Sequence, residues 1–390
     1  MAFPPRLQMY VLAAKARLAR AGGFRRDPYP APPGVELSPS LAHARALAVV
    51  RPALRHSDDA GPLCDWQERA RAKLAALTGF PVERAAPAAT EPEDRAVSAG
   101  LTRRRVYLRL WHGGHAPMDV VRHRRASGPL VPLICLQGTN SGSHLSWGEA
   151  RLPPDPVKIA GGGDYACQAA RLGFAAFCLE QSCFGERRER HIAPRSASAT
   201  IDAANHALLL GRTLLGERAG DVASVVDWIA SGEAARVMDM TLASDRVAVM
   251  GSSAGGAVAL YASALDVRLA ACLASACVGF IAETIACRRD DSGQNVVPGI
   301  LQWFETDDVV ALCAPRPILM VSGARDHLFP AAGMERVAGS ARRAYAKAGA
   351  ADALGVLSPE GPHGFYPAVA WPAFHALLDR GPTQSGMSVA

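Results

Sequence analysis

The sequence predicts an α/β fold: a mostly parallel central sheet of about eight strands with helices on both faces, plus an N-terminal helical extension. Three observations carry that expectation. Residues 130–136 and 174–179 are continuous apolar runs, as strands buried on both faces require. Strand-like and helix-like stretches alternate through residues 101–380. Between them, residues 246–260 read as a buried strand, a sharp glycine turn and the start of a helix.

The elements follow in order. Residues 1–60 are rich in Ala, Arg and Pro, and a proline cluster at 28–33 interrupts regular structure. Trp66, Ala70, Leu74 and Leu77 fall at helical spacing, and Gly79 lies just past them, which predicts a helix over 65–77. Residues 84–100 are polar and read as a connector. Strands are expected at 106–111 and 118–123, joined as a hairpin by Gly113 and Gly114. Asp164 is expected to cap a helix that Gly173 ends, with the 174–179 strand after it. A helical region then covers 201–230, the glycine turn follows, and strands are expected near 270–276, 318–321 and 353–357. Helices over 334–348 and 369–378 complete a catalytic body spanning 101–380. Residues 1–100 are expected to be an extension packed on that body, and 381–390 a flexible tail.

Composition narrows the class. Of 390 residues, 49% are hydrophobic, enough for a large core. The net charge of +6 arises in residues 1–125, which carry 21 Lys and Arg against 11 Asp and Glu. These arginines are scattered apart from Arg103-Arg104-Arg105, so they read as a solvated face and no nucleic-acid partner is expected. Nine cysteines without a C-x-x-C pair, several inside apolar runs, indicate free thiols and a reducing, cytoplasmic setting. The longest uncharged apolar run, 269–282, is too short to span a bilayer. The charges around the short stretch at 9–14 do not suit a signal peptide.

The chemistry centres on Gly251-Ser252-Ser253-Ala254-Gly255, a G-x-S-x-G pattern between strand and helix that lifts a serine hydroxyl above the sheet edge. Ser253 is the candidate nucleophile, with Ser252 the rival hydroxyl. A serine needs a base, and the base needs a group that holds its tautomer. Asp326 follows the 318–321 strand and a glycine turn, and His363 follows the last strand, so acid and histidine come in the right order at the right sheet edge. Either could be an ordinary turn or loop residue when read alone. Asp308, His327 and His375 compete less well: Asp308 precedes its strand, His327 points to the other side of the turn, and His375 lies within a helix. For the oxyanion, Ala254 N–H at the helix start is one donor. The loop Gln137-Gly138-Thr139-Asn140 offers the second, Thr139 before Asn140. His112 and His115 lack the companions of a metal centre, and no phosphate or dinucleotide loop is present. No cofactor and no metal are expected.

These pieces resemble the α/β-hydrolase superfamily, within it the bacterial dienelactone-hydrolase-like and acetyl-xylan-esterase-like group. The match rests on Cys135-Leu-Gln-Gly138, Asp164-Tyr-Ala166, Phe184-Gly-Glu-Arg187, Gly211-Arg-Thr-Leu-Leu-Gly216 with Asp221, the turn at Gly251, Ala314-Pro-Arg-Pro317, Asp326 and His363. The resemblance implies that Glu186 and Arg187 form a turn with an internal ion pair. It departs at Gln137, where the group commonly carries histidine. True dienelactone hydrolases use cysteine, so a serine here implies ordinary ester hydrolysis: a small-molecule ester with a small, acetyl-like acyl group, cleaved through an acyl-enzyme. A peptidase or amidase on the same fold, or a non-catalytic binding protein, is the alternative.

Overall fold

The apolar runs form the middle of one large sheet. In the computed structural model, which describes residues 32–139, 142–189, 199–283 and 293–380, the strands are β1 (Ala88–Ala89), β2 (Glu93–Arg95), β3 (Leu101–Arg109), β4 (His115–His123), β5 (Val131–Leu136), β6 (Phe174–Leu179), β7 (Ala248–Ser252), β8 (Ala271–Ser275), β9 (Ile318–Val321) and β10 (Leu354–Leu357). They lie in the order β1-β3-β4-β6-β5-β7-β8-β9-β10, with β2 also paired to β3, making ten strands. From β6 to β10 every pairing is parallel, whereas β1 to β4 are antiparallel to their neighbours.

Alternation along β5 divides the core. Ile134 and Leu136 face one layer with Val249 and Met320, while Leu133 and Cys135 face the other with Met250 and Val321. The first layer is closed by helices α2 (Leu63–Thr78), α5 (Leu214–Ala230), α6 (Ala254–Leu265), α7 (Thr306–Ala311) and α8 (Ala331–Lys347). Helices α3 (Tyr165–Arg171) and α9 (Pro367–Arg380) close the second. The expected single helical region at 201–230 is two helices, α4 (Ala199–Leu209) and α5, because Gly211 turns with φ 72°. Thr213 restarts the helix, its hydroxyl accepting Gly216 N–H at 2.9 Å.

The chain divides into two units, residues 1–50 and 51–390. In the first, helix α1 (Pro39–Val49) starts with proline and has no buried residue. In the second, α2 shares the main core. Trp66 is 1% exposed and donates its indole N–H to Leu54 C=O at 3.1 Å. Leu74 is buried in the same layer, and Leu77 packs against it. The side chains of Gln67 and Arg71 reach backbone carbonyls of Ala314 at 2.7 Å and Ala264 at 2.9 Å.

Three local expectations change. The 84–100 segment is not only a connector, since β1 and β2 pair with β3 at the sheet edge. Their apolar alternation is absent because β2 is fully exposed and is held by opposite charge, Arg104 to Asp94 at 3.0 Å. The arginine run 103–105 is not a solvated face. Period-two alternation turns Arg103 and Arg105 inward, where Arg105 binds Asp119 at 2.6 and 2.9 Å and Arg103 covers the Trp147 ring at 4.5 Å. Asp164 stands at the N-cap of α3 without making a side-chain cap, its carboxylate bonding Gln168 instead. No helix among the described residues is long and apolar enough to cross a membrane.

Truncating Trp66 removes a fully buried indole from the layer that closes on β5 and β7. Trp66→Ala should cost about 3–5 kcal/mol, read as a lower urea midpoint with an unchanged denaturant slope.

Candidate active site

Ser253 joins β7 to α6 with φ 55° and ψ −122°. A residue with a Cβ adopts such backbone only where its surroundings impose it. Here the imposing contact is the approach of strand to helix: a Cβ on Gly251 would overlap the Gly255 carbonyl, and one on Gly255 would overlap the Leu136 carbonyl oxygen. Ser253 N–H donates to Ser275 C=O at 2.8 Å, and Ser253 C=O accepts Ala257 N–H at 3.0 Å. The first N–H groups of α6, from Ala254 on, have no intrahelical acceptor and sit at the positive end of the dipole. Ser252 is 6% exposed and neighbours Tyr165 of α3, whereas Ser253 is only half-buried.

The acid and the histidine are joined before any substrate arrives. Asp326 is 3% exposed; its Oδ1 accepts the N–H groups of Leu328 at 2.8 Å and Phe329 at 2.9 Å, and its Oδ2 lies 2.8 Å from His363 Nδ1. Burial opposes ionisation of Asp326, but the His363 hydrogen bond and the two backbone donors outweigh it and hold the carboxyl below its ordinary value. An ionised Oδ2 can only accept, so Nδ1 carries the proton and Nε2 keeps its lone pair. The supporting loops are laced by backbone bonds, Ala324 N–H to Pro359 C=O at 2.8 Å and Arg325 N–H to Gly361 C=O at 2.9 Å. Ser275 ties this loop to Ser253: its carbonyl takes Ser253 N–H while its hydroxyl donates to Gly364 C=O at 3.3 Å.

The loop after β5 lies against Ser253, with the Cβ position of Gly138 only 3.4 Å from the serine Cβ. The departure at Gln137 has a structural counterpart. Its amide N–H groups reach Ser146 Oγ and Gly163 C=O, each at 2.8 Å, and its own C=O accepts from Gln181. Thr139 Oγ1 accepts from Gln294 Nε2 at 2.9 Å. Asn140 lies outside the described residues.

Competing residues are elsewhere. Asp308 binds His56 Nδ1 at 2.7 Å and caps α7, where it accepts Glu305 N–H at 2.8 Å. His327 is exposed, and His375 packs 4.8 Å from the Phe174 ring. Glu186 and Arg187 do not pair with each other: Glu186 binds Arg105 at 2.8 Å, and Arg187 binds Asp221 at 2.7 Å. His112 does have an acidic neighbour, Asp221 at 3.5 Å, while His115 is exposed. His56, Asp307 and Asp308 are close enough to hold a cation. The Arg55 guanidinium pairs with both carboxylates, so a resident cation already stands against this donor set and opposes a metal there.

Sequence reasoning missed a second set of residues behind the loop. Glu180 is 2% exposed and accepts Ser143 N–H at 2.9 Å and Ser143 Oγ–H at 3.1 Å. Burial raises its pKa. His144 Nε2 lies 2.8 Å from Asp155, whose carboxylate also accepts two backbone N–H groups, of Arg151 at 2.9 Å and Leu152 at 2.7 Å. Glu180 follows an apolar strand at the sheet's carboxyl edge, a position that could have marked it; Asp155 had no comparable signal.

Comparison with known proteins adds to this geometry. The model of the Abhydrolase family (Abhydrolase_7) matches residues 41–354. The putative hydrolase YtaP of Bacillus subtilis (strain 168) is 26% identical over 258 residues, 64% of this chain and 79% of that one. Among solved structures, a putative acetyl xylan esterase from Bacteroides fragilis NCTC 9343 has TM-score 0.64 at 19% identity, covering 87% of this chain and 85% of that one. A glucuronoyl esterase from Teredinibacter turnerae has TM-score 0.59 at 17% identity, covering 94% and 98%. These structures share the α/β-hydrolase fold with this chain.

The lowered Asp326 value fixes the sign of a pH effect. A depressed carboxylate adds stability above its ordinary value of 3.8 and loses it as the pH falls through the folded-state value. Wild type should therefore be more stable than Asp326→Asn at neutrality, with the difference shrinking as urea unfolding is repeated down to about pH 3; a constant difference would contradict the assignment.

Proposed function

The chain belongs to the Abhydrolase family, and from that membership we propose that it is a serine esterase with Ser253 as nucleophile, His363 as general base and Asp326 as the residue that orients it. One observation carries the reading: the Asp326–His363 hydrogen bond of 2.8 Å at the edge where Ser253 stands in its strained turn. Ser253 Oγ attacks the ester carbonyl carbon as His363 Nε2 takes the hydroxyl proton. The tetrahedral oxyanion is stabilised by Ala254 N–H and by Thr139 in the loop beside Ser253. Collapse breaks the bond to the alcohol, which leaves with the proton from Nε2. Water then attacks the acyl-enzyme, gives its proton to Nε2, and the carboxylic acid is released with Ser253 restored.

The same reading assigns the machinery to residues 101–380 and takes a small-molecule ester with an acetyl-like acyl group as substrate. The structural neighbours named above as acetyl xylan and glucuronoyl esterases support an ester over an amide. None of the described cysteines is paired, which supports a cytoplasmic, reducing setting.

Ser253→Ala should abolish hydrolysis of a chromogenic ester with the fold retained, and a fluorophosphonate probe should label Ser253 in wild type only. Labelling at Ser252, or activity that survives the substitution, would move the nucleophile. Across p-nitrophenyl esters of rising chain length, kcat/KM should be highest for acetyl or propionyl, and a matched anilide should be slower. A maximum at octanoyl or a faster anilide would overturn the acyl assignment.

A further inference from the structure

A buried guanidinium stands behind the loop that carries Thr139. Arg218, on α5, is 1% exposed and makes no ion pair among the described residues. Its Nε and one terminal nitrogen donate to Ser182 C=O at 3.2 and 2.7 Å, the other terminal nitrogen donates to Gln294 Oε1 at 3.1 Å, and the guanidinium covers the Phe184 ring at 4.4 Å. Asp221, one turn along the helix, is committed to Arg187 and to the Trp111 indole. Burying a cation against neutral partners costs several kcal/mol, and a purely packing position is filled more cheaply by an apolar side chain.

The chain of bonds has a fixed direction. A guanidinium only donates, so Gln294 must present its oxygen to Arg218 and its N–H to Thr139 Oγ1. The Thr139 hydroxyl therefore accepts at that contact, and its own proton is directed away from Gln294. Without the guanidinium the amide could turn round, and the hydroxyl would donate back to Gln294.

We propose that Arg218 is a positioning residue for the reaction: through Gln294 it orients Thr139 in the oxyanion loop, and its buried charge favours the negative charge that develops there. This rests on the serine-esterase reading above. Burial lowers the Arg218 pKa to about 10, so the group stays protonated at neutrality and the relay is intact through the neutral range.

Three variants test it. Gln294→Glu keeps the bond to Arg218 but turns the contact with Thr139 into an acceptor, Arg218→Gln removes the cation, and Arg218→Lys keeps a charge and a donor. Kinetics on a p-nitrophenyl ester are read beside inhibition by a boronic acid, whose adduct with serine is an anionic tetrahedron, and by a neutral alcohol product. The first two variants should lower kcat about 10- to 100-fold, the range below loss of a direct oxyanion donor. They should weaken boronate inhibition by a similar factor and leave KM and alcohol inhibition within about twofold, with Arg218→Lys recovering most of the loss. If Arg218→Gln does not fold, Gln294→Glu carries the test. Folded variants with wild-type kcat and boronate affinity would overturn the relay, as would equal loss of boronate and alcohol binding. The fluorophosphonate probe separates the two levels: no labelling of wild-type Ser253 sinks the esterase reading, whereas wild-type labelling with unchanged rates in the variants sinks the relay alone.

Discussion

The arrangement of the site depends on how closely α6 approaches the sheet. The contact of Gly251 with Gly255, and of Gly255 with the Leu136 carbonyl, leaves no room for side chains and drives the intervening Ser253 to positive φ. From that crossing follow the serine's place above β7, the N-terminus of α6 beside it, and the contact with Gly138 in the loop that follows the neighbouring strand. Strain at one residue is tolerated because α6 is buried along its whole length and cannot relax away.

Around the crossing, the site is assembled by backbone bonds between loops and not by side-chain contacts alone. The β8 terminus accepts the Ser253 N–H, the turn after β9 is bonded to the loop after β10, and Asp326 closes its own turn with two N–H groups. One carboxylate oxygen is thus anchored by the fold and the other is given to His363. Preorganisation of this kind is what the proposed acyl transfer would draw on.

Buried charge forms a frame behind the loop after β5. Asp119 takes Arg105, Glu186 takes Arg105 and Arg151, Asp221 takes Arg187, and Glu180 takes backbone and hydroxyl donors from Ser143. Burial raises the pKa of Asp119 against the pull of Arg105 and Arg103. Burial also opposes ionisation of Asp221, but Arg187 and His112 prevail and keep it low. Glu186 adds repulsion at Asp119, and the network links β3, β4, α5 and the 180–187 turn into one support.

The sequence by itself determined the parallel half of the sheet, because β5, β6, β8 and β9 are apolar on both faces and stand out in any window. It determined the order of Ser253, Asp326 and His363 too, since each follows a strand that ends at the same edge. Tertiary structure alone decided the rest. The edge strands β1 and β2 carry no apolar pattern and exist through pairing with β3. Arg103 and Arg105 became buried only because Asp119 and Trp147 meet them from β4 and a distant turn. The partnership of Arg218, Gln294 and Thr139 joins residues from three separate segments. Periodicity reports a residue's own face and burial, whereas a polar side chain's role is set by the partner across the fold, which no local pattern encodes.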